Sequence, residues 1–284
     1  MTADEPRFVP SSDGVAVALH DLGGSGPDVL IAHATGFCAG AYRPLAASLA
    51  PNFHVWALDI RAHGRTEAPA GGDLDWRGGA DDVLAVAAAL GGGPILAMGH
   101  SMGGAALIAA ERRRPGTLLA AHLFEPIIVP EGFDRPGANP MAEAARRRRP
   151  SFPSRQEALA RYASRPPLGA FRADVLAAYV EHGFRDEPDG TVSLRCTPEH
   201  EAATFEATGK LRIAEVGSVT VPVVVAHGTR DPSPGPADFA PMVAAALPAG
   251  RLERFAHLGH FGPLQDPPTV ADDATALFAE VLAG

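Results

Sequence analysis

Pro94-Ile95-Leu96-Ala97-Met98-Gly99-His100-Ser101-Met102-Gly103-Gly104 is a short apolar run that opens into glycines around a single serine. Pro94 to Gly99 fits a buried strand, and Ala105 to Arg114, stopped by Pro115-Gly116, fits a helix of small residues. Between them, Gly99 and Gly103 flank Ser101 at the two places where a side chain would obstruct a sharp strand-to-helix turn. Such a turn lifts the hydroxyl out of the sheet, at the N-terminus of a helix. In a chain with 31 glycines the pattern G-x-S-x-G carries little weight by itself, and its position between strand and helix is what gives it meaning. The plainer alternative is that Ser101 only caps the helix, a role that suits serine.

Outward from this turn, strands and helices alternate. Upstream, Val15–His20, Asp28–His33 and Phe53–Asp59 read as strands, with helices over Ala39–Ala50 and Asp75–Leu90, the latter stopped by Gly91-Gly92-Gly93. Downstream, Leu118–Phe124 is another buried strand. From Glu125 prolines interrupt the chain (Pro130, Pro140, Pro150, Pro153), the strand pattern disappears until Val221, and helical stretches follow at Met141–Arg149, Arg155–Ser164, Ala170–His182 and from Pro198. The alternation then resumes with a strand at Val221–Ala226, a helix at Ala237–Leu247, a strand at Arg251–Phe255 and a final helix at Thr269–Leu282. Short, wholly apolar strands alternating with helices predict an α/β fold: a mostly parallel central sheet with helices on both faces. The expected division is a core of residues 1–125 and 219–284 with a helical insertion at 126–218.

In a parallel sheet, reactive side chains gather on the loops at the carboxyl ends of the strands. A serine hydroxyl there needs a base to take its proton, and the base needs a third group to orient it. His260, in His257-Leu258-Gly259-His260-Phe261 just beyond the last strand, is the expected base, with His257 as runner-up. For the orienting carboxylate, Asp231 in His227-Gly228-Thr229-Arg230-Asp231, ahead of Pro232, is favoured over Glu125 at the end of the preceding strand. Two backbone N–H groups must face the oxygen that gains charge. Met102 supplies one, and the loop His33-Ala34-Thr35-Gly36-Phe37 the other, from Thr35 or failing that Ala34. His33, His63 and His100 read as packing residues, and Arg146–Arg149 as a solvated helix face.

These motifs resemble those of the α/β-hydrolase superfamily, and the likeness spans most of the chain. Gly99-His100-Ser101-Met102-Gly103-Gly104 resembles its nucleophile elbow, Asp59-Ile60-Arg61-Ala62-His63-Gly64-Arg65-Thr66 its D-x-R-G-H-G-x-S loop, His227–Asp231 its acid loop, and Gly259-His260-Phe261 its histidine loop. Ala34 and Ala62 stand where that family has glycine. The resemblance implies a serine hydrolase without metal or organic cofactor, with substrate choice in the inserted cap. A serine nucleophile separates it from the superfamily's dehalogenases and epoxide hydrolases, which use aspartate. The expected reaction is cleavage of a small carboxylic ester or lactone through an acyl-enzyme on Ser101. The rivals are carbon–carbon bond cleavage or perhydrolysis by the same triad, and a non-catalytic ligand receptor on this fold.

Composition narrows the remaining classes. A hydrophobic fraction of 46% supports a sizeable core in 284 residues, and a net charge of -9 disfavours nucleic acid as a partner. Cys38 and Cys196 form no metal-binding or disulfide pattern. Met1 to Pro6 lacks the features of a signal peptide and no apolar run spans a membrane, so the expectation is a cytoplasmic enzyme with a small-molecule substrate. Oligomeric state is not legible.

Overall fold

In a computed structural model of the chain, residues 5–133, 139–231 and 235–284 are described. Pro232 and the first four residues lie outside them. The strands are β1 (Arg7–Pro10), β2 (Ala16–Gly24), β3 (Asp28–Ala32), β4 (His54–Leu58), β5 (Ile95–His100), β6 (Leu118–Phe124), β7 (Ser151–Phe152), β8 (Phe184–Asp186), β9 (Val192–Leu194), β10 (Val223–Gly228) and β11 (Gly250–Phe255). The helices are α1 (Arg43–Leu49), α2 (Trp76–Ala89), α3 (Met102–Arg113), α4 (Pro140–Arg146), α5 (Arg155–Ala163), α6 (Ala173–Gly183), α7 (Pro198–Glu206), α8 (Ala240–Ala246), α9 (Gly262–Gln265) and α10 (Pro267–Ala283).

Eight strands form one sheet in the order β1-β2-β4-β3-β5-β6-β10-β11. From β4 to β11 neighbours pair in parallel, whereas β2 is antiparallel to both β4 and β1. The central strands are apolar at most positions because both of their faces are covered, the exceptions in β5, β6 and β10 being His100, His122 and His227. Leu30 and Ala32 of β3 point into a core with Val83 and Val86 of α2, Leu107 and Ile108 of α3, and Val243 of α8. Val29 and Ile31 point the other way, toward Leu45 and Leu49 of α1 and Val270, Leu277 and Phe278 of α10. Burial on both faces removes the polar alternation that a half-exposed strand would show.

Parallel β3, β5, β6 and β10 deliver their carboxyl ends to one rim, and the loops leaving it carry Thr35, Ser101, Glu125 and Asp231. The order of strands therefore puts the Ser101 loop between the Thr35 loop and the Glu125 loop. Helix α3 begins at Met102, directly after the serine, rather than at the expected Ala105. Two glycines make a poor helix start by propensity, but packing requires them: a Cβ on Gly103 would lie 2.2 Å from the Ala32 carbonyl oxygen.

Between β6 and β10 lie helices α4 to α7, as expected, together with a small antiparallel sheet, β7-β9-β8, whose strands of two and three residues are too short to show in the sequence pattern. Among the described residues no helix is long and apolar enough to cross a membrane.

Candidate active site

Ser101 sits at φ 56° and ψ −116°, in a region that non-glycine residues avoid, and its side chain is buried to 6% exposure. The turn is held from the neighbouring strand. Ser101 N–H donates to the Phe124 carbonyl at 3.0 Å, and the Ser101 carbonyl accepts from Ile127 N–H at 3.1 Å. The residues between these two anchors include Glu125, itself at φ 43°. Serine loop and glutamate loop are thus fastened back to back at the ends of β5 and β6.

His260 is held at three separate atoms. Its Nδ1 lies 2.7 Å from Glu125 Oε2, its backbone N–H donates to Asp231 Oδ2 at 2.6 Å, and its carbonyl accepts from His100 Nε2 at 2.8 Å. Glu125 is 1% exposed, and its other oxygen accepts from Gly228 N–H at 2.9 Å. A carboxylate so placed accepts a hydrogen bond from Nδ1–H and leaves the Nε2 lone pair for a substrate-side proton. Among the described residues neither Ser101 Oγ nor His260 Nε2 has a hydrogen-bond partner, so both are available to reacting groups.

The expected contact between Asp231 and the imidazole is corrected by this geometry. Asp231 packs so closely under the histidine loop that a Cβ on Gly259 would meet its carboxylate at 2.3 Å, and it is spent on backbone. Glu125 enters from the strand next to the serine and has one more methylene with which to reach the ring. The glutamate's buried position and left-handed backbone leave no mark in sequence; its only visible signal is an acidic residue ending an apolar strand before Pro126. His257, the alternative base, instead pairs with Asp266 at 3.2 Å near the surface.

The Thr35 and Met102 side chains touch. Thr35 Oγ lies 3.4 Å from Met102 Sδ, and among the described residues neither backbone N–H has an acceptor. Ala34 does not disturb this loop. The positive φ falls on Gly36 (81°), and Ala34 N–H donates to Tyr42 Oη at 3.1 Å.

The insertion covers this rim with aromatic rings. Phe171 and Tyr179 stand 5.8 and 5.0 Å from Phe37, and Phe37 and Phe171 stand 5.6 and 5.3 Å from Phe261, beside His260. Arg148 departs from the expected solvated run. It is partly withdrawn from water, pairing with Glu201 and donating to Tyr179 Oη at 2.6 Å, and Tyr179 in turn donates to the Gly36 carbonyl at 3.3 Å. Arg146 and Arg147 keep to surface pairs with Glu206, Glu199 and Glu143. Among the described residues no group of three His, Cys, Asp or Glu side chains is placed to hold a metal ion.

Several histidines around the site are buried and neutral. Burial pushes the His33 and His63 imidazoles down to about 4, each also pressed by a neighbouring imidazole, and burial beside His260 holds His100 well below its ordinary value. His33 Nε2 accepts from Ile60 N–H at 3.0 Å, a bond that only the unprotonated nitrogen can make. A histidine whose folded pKa is depressed favours folding fully above its unfolded value, near 6.5, and loses that contribution as pH falls toward the folded value. The shift of His33 and His63 therefore corresponds to a loss of up to about 3 kcal/mol for each between pH 6.5 and 4. Urea midpoints measured at pH 7.5, 6, 5 and 4.5 are expected to drop steeply over that window; a flat profile would contradict the buried, neutral assignment.

A family model described as alpha/beta hydrolase family matches residues 29–273. The chain belongs to the alpha/beta hydrolase family. Solved structures share its fold at low identity. They include the esterase RhEst1 from Rhodococcus sp. ECU1013 (21% identity, TM-score 0.76, covering 98% of this chain and 99% of that one). A thermophilic esterase from Thermogutta terrifontis is similar at 21% identity and TM-score 0.74, covering 98% of this chain and 99% of the other. The enol-lactonase from Burkholderia xenovorans LB400 is similar at 19% identity and TM-score 0.71, over 96% and 100% of the two chains. No curated protein matches this hydrolase-family chain in sequence.

Proposed function

We propose that this alpha/beta hydrolase family member cleaves a small carboxylic ester or lactone through an acyl-enzyme on Ser101. His260 Nε2 takes the Ser101 proton as Oγ attacks the carbonyl carbon, and Glu125 stabilises the imidazolium that forms. Met102 and Thr35 N–H groups face the oxygen as it becomes an oxyanion. The tetrahedral intermediate expels the alcohol, protonated by His260, and water activated by the same histidine then releases the acid. Asp231 serves as a positioning residue, clamping the backbone of His260.

The observation that carries this reading is the 2.7 Å contact of Glu125 with His260 Nδ1 on the rim that presents Ser101. The rings of Phe37, Phe171 and Phe261 beside His260 favour an apolar acyl or alcohol part of modest size. That esterases and an enol-lactonase share the fold supports the same class of bond.

A substrate panel tests it. Short-chain p-nitrophenyl esters and γ- and δ-lactones are expected to be hydrolysed at rates that Ser101→Ala abolishes, while a β-diketone panel is left intact. Turnover of the β-diketones alone would transfer the site to carbon–carbon cleavage, and turnover of neither panel would sink the reading.

A further inference from the structure

His100 precedes the serine and takes no part in the proton transfers above, yet it is buried and both of its ring nitrogens are in use. Nε2 lies 2.8 Å from the His260 carbonyl, which can only accept, so Nε2 carries the proton and Nδ1 is the acceptor. Tyr42 Oη is 2.7 Å from that Nδ1 and therefore donates its proton there, leaving its oxygen to accept from Ala34 N–H at 3.1 Å. Each donor in the series has one acceptor, and all the bonds run in one direction. Ala34 N–H donates to Tyr42, Tyr42 to His100, and His100 to His260. Tyr42 and His100 are 1% and 2% exposed, so solvent does not compete for these bonds.

The two ends of this chain are the functional loops themselves. Ala34 is bonded through its N–H immediately before Thr35, whose N–H is an oxyanion donor in the proposed mechanism. His260 is the proposed base. We propose that Tyr42 and His100 are positioning residues, a hydrogen-bonded bridge that fixes the oxyanion loop and the base loop relative to each other across Ser101. The proposal rests on the Ser101, His260 and Glu125 reading above. It accounts for a buried tyrosine–histidine pair set among the apolar side chains of Leu45, Met98 and Phe124. Cooperative polarisation along such a series strengthens each bond in a water-excluded interior.

Steady-state hydrolysis of p-nitrophenyl butyrate separates positioning from packing. Tyr42→Phe removes one oxygen and is expected to lower kcat by about tenfold, with KM changed less than about twofold, as one misplaced hydrogen bond in the transition state implies. His100→Phe is expected to cost at least as much, and His100→Gln, which keeps a donor for the His260 carbonyl, to recover part of the loss. The double variant Tyr42→Phe/His100→Phe should be no worse than the poorer single one, because either change breaks the same bridge. In the unaltered protein, 15N shifts at pH 7 should show His100 protonated on Nε2 and not on Nδ1. Undiminished kcat in Tyr42→Phe and His100→Gln, the opposite tautomer, or additive losses would each overturn the bridge. Those results with an inactive Ser101→Ala leave the triad reading standing, whereas an active Ser101→Ala overturns the triad itself.

Discussion

Glu125→Gln is expected to lower kcat by about a thousandfold to ten-thousandfold, the scale set by removing the charge behind a catalytic histidine while keeping its shape. Glutamine fills the same space, and its carbonyl oxygen can still accept from Gly228 N–H, as Glu125 does at 2.9 Å. What then faces His260 Nδ1 is an amide NH2, a donor. The imidazole must turn its lone pair toward that donor and carry its proton on Nε2, where it cannot take the Ser101 proton. The loss should fall in kcat, with KM little altered, because Glu125 acts on charge that develops only in the transition state. Asp231→Asn provides the contrast. Its amide oxygen can still accept from His260 N–H, so the expected loss is about tenfold. The reverse ranking, with Asp231→Asn the more damaging, would hand the acid's role to Asp231.

Ser101→Ala should be more severe, with kcat reduced by about a millionfold. The substitution removes Oγ while leaving the elbow pinned through its backbone to Phe124 and Ile127. The protein should fold normally, since alanine and serine meet the same steric limits at φ 56°. Met102 and Thr35 N–H groups remain, so substrate binding should survive. Far-ultraviolet circular dichroism and a thermal melt beside the kinetics distinguish loss of chemistry from loss of fold. A variant that stays folded and retains more than about a hundredth of kcat would contradict a serine nucleophile.

The contrast between Glu125 and Asp231 shows where sequence stops being informative. Both residues follow apolar strands that end on the same rim, so strand order and alternation admit either. Which one meets His260 depends on the path of the Gly259–His260 backbone over Asp231 and on the turn at Glu125, features set by contacts distant in sequence. The sheet and the elbow were legible for the opposite reason. Buried parallel strands and a glycine-flanked serine are fixed by constraints within a few residues of each other. Strands β7 to β9 are too short to show a period of two, and the four arginines at 146–149 carry no periodicity that singles out Arg148 for the Glu201 and Tyr179 contacts. Sequence marks His100 only as a packing residue, and it is packed; its two directed hydrogen bonds depend on Tyr42 and His260, which only the fold brings near.

The most direct measurement of the central claim is the site and stoichiometry of phosphonylation by a fluorophosphonate, read by intact mass and peptide mapping. An activated serine facing an oxyanion hole should take one adduct per chain on Ser101, concurrent with loss of hydrolysis, and Glu125→Gln should slow the labelling sharply. Hydrolysis persisting in protein that carries no adduct on Ser101 would contradict the account.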